Sequence, residues 1–131
     1  YLKDIAYVSD ARRFDMGERD HFISMEMAAI GMEMIAAWGL PQIAGRIAML
    51  NARLAEALDG TGITVPDARF RAPHILSLGF PGGLPKGFVE RLAAANVIVA
   101  PRVGRLRVSP HVYNDEADID RFVAAFKQLP L

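Results

Sequence analysis

The stretch Ala100-Pro-Arg-Val-Gly-Arg-Leu-Arg-Val-Ser-Pro-His-Val-Tyr-Asn114 decides the fold. Within it, Arg105 to Val108 alternates strictly, with Leu106 and Val108 on one side of an extended chain and Arg105 and Arg107 on the other. A period of two predicts a strand with one face buried and the other open to polar contacts. Three arginines fall between Arg102 and Arg107, and Ser109-Pro110-His111 then turns the chain. Just upstream, Val97 to Ala100 reads as a buried strand, a hairpin-like neighbour of the first.

Working outward, the segment from about Asp115 to Gln128 has helical periodicity, with Ile119, Phe122, Val123 and Phe126 on its apolar face. Asn114 or Asp115 caps it, and acids fill its first turn, where the helix dipole favours them. On the other side, Pro85 to Ala95 reads as a helix stopped by Asn96, preceded by the turn-rich bridge Phe80 to Pro85. His74 to Leu78 and Ile63 to Val65 are strand candidates. Farther upstream, Ile43, Ile47, Leu50, Leu54 and Leu58 form the stripe of a helix that Pro41 opens and Asp59-Gly60 ends. A helix from about Asp20 to Trp38 carries Phe22, Met25, Ala29, Met32 and Ala36 at three- and four-residue spacing, and Gly39 stops it. The order is helix, helix, strand, strand, helix, strand, strand, helix, which predicts an α/β (α+β) two-layer sandwich: a small sheet covered by helices.

The chain has 131 residues, enough for one domain with a buried core, and 52% of them are hydrophobic. Basic and acidic residues balance at 15 each, so no general attraction to nucleic acid or to an anionic membrane is expected. The 15 basic residues divide into three lysines and twelve arginines, and arginine is the better planar, bidentate partner for carboxylate or phosphate. There is no cysteine, which excludes disulfides, thiolate nucleophiles and cysteine-ligated metals. No apolar run reaches the roughly 20 residues that span a bilayer, and no signal peptide is visible, so a cytoplasmic location is expected. The first residue is Tyr1 rather than methionine, which implies a piece of a longer chain.

Several groups carry potential chemistry. Arg102, Arg105 and Arg107, fixed near a turn, suit a carboxylate-bearing ligand. Alternatively they line a solvated strand face or pair with Asp115, Glu116 and Asp118. His21, His74 and His111 have no metal-ligand spacing, and no metal site is expected. The methionine series Met16, Met25, Met27, Met32 and Met34 has the spacing of a core or subunit interface, or of an apolar ligand groove. Gly79-Phe80-Pro81-Gly82-Gly83 lacks the lysine-serine end of a phosphate loop.

Two motifs resemble those of a known family. Arg13-Phe14-Asp15-Met16-Gly17-Glu18 is similar to the arginine-aromatic-acid-x-glycine signature that opens the C-terminal domain of class V aminotransferase-like enzymes. Leu106-Arg107-Val108-Ser109-Pro110-His111-Val112-Tyr113-Asn114 resembles that family's arginine-x-serine-x-x-x-tyrosine-asparagine stretch, and Asp115 to Asp120 is similar to the start of its final acidic helix. The likeness runs from about Ala11 to Leu129. Members include cysteine desulfurases, selenocysteine lyases, kynureninases and isopenicillin epimerase-like proteins, all fold-type I pyridoxal-phosphate enzymes and usually dimers.

The resemblance implies a small, mostly antiparallel sheet covered by helices, the small domain of such an enzyme. It divides the chain into an entry segment, residues 1–19, leaving a large domain that is missing here, and a small domain, residues 20–131. The Schiff-base lysine then lies in the large domain, since Lys3, Lys86 and Lys127 have no recognisable cofactor-lysine context. Arg107 takes the role of the arginine that grips the substrate's α-carboxylate, with Arg102 and Arg105 bordering it. Gly17 and Glu18 occupy the place where relatives reach a neighbouring subunit's cofactor phosphate. Desulfurase-like members often carry threonine at the second of these positions, and the carboxylate of Glu18 is a poor phosphate partner. Without cysteine, desulfuration through a cysteine persulfide is not expected.

The implied function is orienting an amino acid or related amine for transamination, racemisation or elimination in a longer homodimeric enzyme, the fragment alone being inactive. A stand-alone carboxylate-binding or dimerisation module is the alternative.

Overall fold

The computed structural model describes residues 9–15 and 21–130. The chain divides into two compact units, Tyr1–Trp38 and Gly39–Leu131.

In the first unit a 3₁₀ turn, Ala11–Phe14, is capped by Asp10, whose side chain accepts from the Arg12 N–H. Helix α1 spans Phe22–Trp38, and His21 Nδ1 accepts from the Ser24 N–H at its start. Its charges, Glu26 and Glu33, lie seven residues apart and so share one line along the helix. The rest of the circumference is apolar, and none of its residues is buried among the described residues.

The second unit carries the core. Helix α2 (Leu40–Ala57) starts after Gly39 with Pro41 in its first turn and buries Ile47, Leu50, Asn51 and Leu54. Strand β1 (Leu76–Leu78), helix α3 (Phe88–Ala94), strands β2 (Ala100–Arg102) and β3 (Arg105–Val108), and helix α4 (Glu116–Lys127) follow. The sheet is antiparallel throughout, in the order β1-β3-β2. Leu76, Leu78, Leu106 and Val108 project from one face into a core with Leu50, Leu54, Leu58, Phe88, Leu92, Phe122 and Phe126. Phe88 meets Phe126 edge-on at 5.4 Å and Phe80 at 5.1 Å. Such pairs add about 0.5–1.5 kcal/mol beyond the area they bury. The expected two-layer α+β arrangement is therefore present, with α2, α3 and α4 packed on the leucine face of the sheet.

Three expectations change in detail, and one open alternative is resolved. Ile63 to Val65 is not a strand; it makes a single bridge, Thr64 to Gly79. The helix expected from Pro85 begins at Phe88, because Gly87 takes a left-handed conformation (φ +73°) that closes the preceding turn first. Val97 to Ala100 is not a buried strand. Asn96, at φ +59°, ends α3 with the Asn96 N–H on the Ala93 carbonyl and the Val97 N–H on the Leu92 carbonyl, both 2.9 Å. In this helix-ending motif the residue after the left-handed one packs back on the last turn. Val97 is buried for that reason, while Ile98 is 82% exposed. The strand forms farther on, at Ala100–Arg102, and tolerates Pro101 because β2 is an edge strand. Finally, Asp115 rather than Asn114 caps α4, in a reciprocal capping box with Asp118.

Candidate functional site

The register of the sheet collects the polar residues on the face opposite the core leucines. Ser77 pairs with Arg107, Ala100 with Arg107, and Arg102 with Arg105. Directly paired residues of an antiparallel ladder project to the same side. Ser77, Arg102, Arg105 and Arg107 therefore share one face, and the buried leucines occupy the other. Strand alternation alone placed Arg105 and Arg107 together; the pairing adds Arg102 and Ser77.

The three arginines differ sharply in their surroundings. Arg105 is half-buried and folded back on the sheet. Its Nε donates to Ser77 Oγ at 2.7 Å, and its Nη2 donates to the carbonyls of Ser77 and Thr64, each at 3.1 Å. Buried Gly79 leaves it room: a Cβ there would stand 2.5 Å from Arg105 Nη1. Arg107 is exposed, and neither it nor Arg102 has a hydrogen-bond or ion-pair partner among the described residues.

The acids next in sequence are committed elsewhere. Arg46, reaching from α2, grips Glu116 with a two-pronged contact (2.6 and 3.0 Å) and donates to the Asn114 carbonyl at 3.2 Å. That hydrogen-bonded guanidinium lowers the Glu116 carboxyl to about 2. Asp118 accepts from Asn114 Nδ2 at 3.0 Å and from Arg121 at 3.1 Å. The Asn114 side chain is the first cause of its lowered pKa, and the Asp115 N–H is the second. Asp115 caps the helix. None of them neutralises Arg102 or Arg107, so two guanidinium groups stand unpaired beside a fixed turn, a donor set that suits a carboxylate.

Asn114 also accepts from the His111 N–H at 2.9 Å, and the His111 ring lies 5.0 Å from Tyr113. The Ser109–Asp115 turn is thus held by Asn114, and His111 takes part through its backbone. Among the described residues, His, Asp and Glu do not gather into a group of three or more that would hold a metal. Gly17 and Glu18 lie outside the described residues. No single helix among the described residues is long and apolar enough to cross a membrane.

Sequence reasoning missed Ser77 and Gly79. The signal for Ser77 was the Leu76-Ser77-Leu78 alternation, which puts the serine opposite the buried leucines. Gly79 carries no pattern of its own, because its role appears only with the Arg105 side chain.

No protein-family model matches the chain, and no curated protein matches it. A solved structure of a NifS-like protein does match, with a TM-score of 0.69 over 77% of this chain at 23% sequence identity. The chain shares a fold with part of that NifS-like protein. It spans 31% of the NifS-like chain's length.

Proposed function

We propose that this chain is the substrate-orienting C-terminal domain of a pyridoxal-phosphate-dependent, class V aminotransferase-like enzyme acting on an amino acid or related amine. The observation that carries this reading is the unpaired, exposed Arg107 at the centre of the polar sheet face. The NifS-like fold and the motif Arg107-x-Ser109 through Tyr113-Asn114 support it.

The described residues fit the carboxylate of a substrate rather than the cofactor itself. Among the described lysines, Lys86 in the turn before α3 and Lys127 in α4 are both exposed, and this reading assigns the cofactor lysine to a large domain outside this chain. When bound there, pyridoxal phosphate supplies an electron sink for the carbanion chemistry. This chain's part is positional. Arg107, carried by a paired strand, holds both carboxylate oxygens in its fork and so fixes the Cα of the substrate.

Arg107→Ala in the whole enzyme is the test. It is expected to lower kcat/KM for the amino-acid substrate about 100-fold, roughly 2.8 kcal/mol. Turnover of the corresponding amine without a carboxylate should be unchanged. Stability should move by less than about 0.5 kcal/mol, because the side chain is exposed and unpaired. Unaltered amino-acid kinetics refute the assignment.

A second reading, a dimerisation module without catalysis, draws on α1. Phe22, Met25, Met27, Met32 and Trp38 are all exposed on it. A helix apolar around most of its circumference needs cover, which the missing large domain or a second copy would supply. Met25→Glu and Met32→Glu distinguish the two. Dissociation in sedimentation velocity, together with no pyridoxal-phosphate-dependent turnover by the whole protein before the substitution, favours the module.

A further inference from the structure

We infer that the Ser77 hydroxyl supplies a second contact to the carboxylate held by Arg107, and that Arg105 is the residue that positions it. This rests on the proposed carboxylate role of Arg107.

The argument is one of hydrogen-bond accounting. Ser77 and Arg107 are direct cross-strand partners on the open face, so their Cβ atoms lie about 4.5–5.5 Å apart. A serine hydroxyl has two acceptor lone pairs and one proton to give. The Arg105 Nε–H, at 2.7 Å, occupies a lone pair and fixes the oxygen. The hydroxyl proton has no acceptor among the described residues. It is left beside a guanidinium that is itself unpaired.

Arg105 is poorly placed to clamp a ligand. Its Nη2 is held by the Ser77 and Thr64 carbonyls, and its Nη1 rests over Gly79. Its position suits a strut. It ties the Thr64 segment to the sheet edge and orients the serine. The resulting site offers donors from Ser77 and Arg107, a positive charge, and a single remaining serine lone pair as its side-chain acceptor. A carboxylate gives each donor an anionic oxygen; a neutral amide brings one oxygen and no charge to the guanidinium. The inference therefore names the class of group recognised, a planar carboxylate, and its discrimination against the amide.

The test is an NMR chemical-shift titration of the protein with propionate and with its neutral counterpart propionamide, neither of which carries a reactive amine. Propionate is expected to bind more tightly. Ser77→Val, which has the shape of Ser77→Thr without the hydroxyl, is expected to weaken propionate about tenfold, as for a hydrogen bond to a charged group. Ser77→Thr, which returns the hydroxyl, should restore affinity to within about twofold of wild type. Arg105→Met removes the strut but leaves the hydroxyl, and should cost less than Ser77→Val. Propionamide should be indifferent to all three.

If Ser77→Val binds propionate like wild type, or loses no more than Arg105→Met, the direct contact is overturned. The carboxylate reading then survives provided that Arg107→Ala still abolishes the preference for propionate. If Arg107→Ala leaves that preference intact, the reading fails and takes the inference with it.

Discussion

Gly79→Ala is expected to destabilise the protein by about 2 kcal/mol, through a side chain far away in sequence. The new methyl would stand 2.5 Å from Arg105 Nη1 and 2.8 Å from its Cζ. A free arginine would swing aside at little cost. This one is held by Ser77 Oγ, the Ser77 carbonyl and the Thr64 carbonyl. Displacing it forfeits those hydrogen bonds at about 1 kcal/mol each. Alanine returns roughly 0.5–1 kcal/mol of backbone entropy relative to glycine in extended structure. The balance is the stated loss of about 2 kcal/mol. Urea unfolding measures it, and the informative comparison is the same substitution in an Arg105→Met background. There the methyl meets no fixed guanidinium, and Gly79→Ala should be neutral or slightly stabilising. An equal penalty in both backgrounds would show that the methyl collides with something other than Arg105, and would refute the strut.

Other outcomes follow from features of the same unit. Val103 and Gly104 form the tip of the β2–β3 hairpin with φ of +48° and +71°, a geometry that suits Asn-Gly and strains a β-branched residue. Because Val103 is 90% exposed, Val103→Asn loses no packing and should raise stability by about 1 kcal/mol in urea unfolding. Glu116 titrates at about 2 when folded against an ordinary value of 4.5. Its contribution to stability is therefore present above pH 4.5 and lost as the pH falls from there toward 2. Arg46→Gln should flatten that part of the acid profile, and an unchanged profile would remove the Arg46–Glu116 pair from the account. Leu54, fully buried in the core on α2, should cost roughly 3 kcal/mol as alanine; a loss below about 1 kcal/mol would mean that the core closes over the gap.

Much of the architecture is legible in the chain because its signals are local. The Leu106/Val108 alternation, the α2 stripe and the acidic start of α4 each fall within a few residues, and each appears where its period predicts. The errors come where a short apolar run serves a different purpose. Val97 to Ala100 looks like a strand from its composition, yet Val97 is the hydrophobic latch of a helix end, and strand pairing starts only at Ala100. The site divides along the same line. That Arg105 and Arg107 share a face follows from period two. That Arg105 is tied down and Arg107 is not depends on Ser77 and Thr64, residues 28 and 41 positions away. Spacing alone cannot supply such pairings. It likewise left open whether Asp115, Glu116 and Asp118 neutralise the arginines; Arg46, 70 positions from Glu116, is what engages that acid.

The order in which the sheet closes has a kinetic consequence. Arg102 and Arg105 are brought together by a turn of two residues, whereas Ser77 and Arg107 enclose α3 and all of β2 between them. The hairpin closes a short loop and can form early. The β1–β3 pairing must wait for a longer one, whose entropy is harder to recover. The Ser77–Arg107 face thus comes into being late in folding. A ligand that needs both residues has nothing to bind in the early ensemble. Bound carboxylate should therefore slow the unfolding rate while leaving the refolding rate almost unchanged.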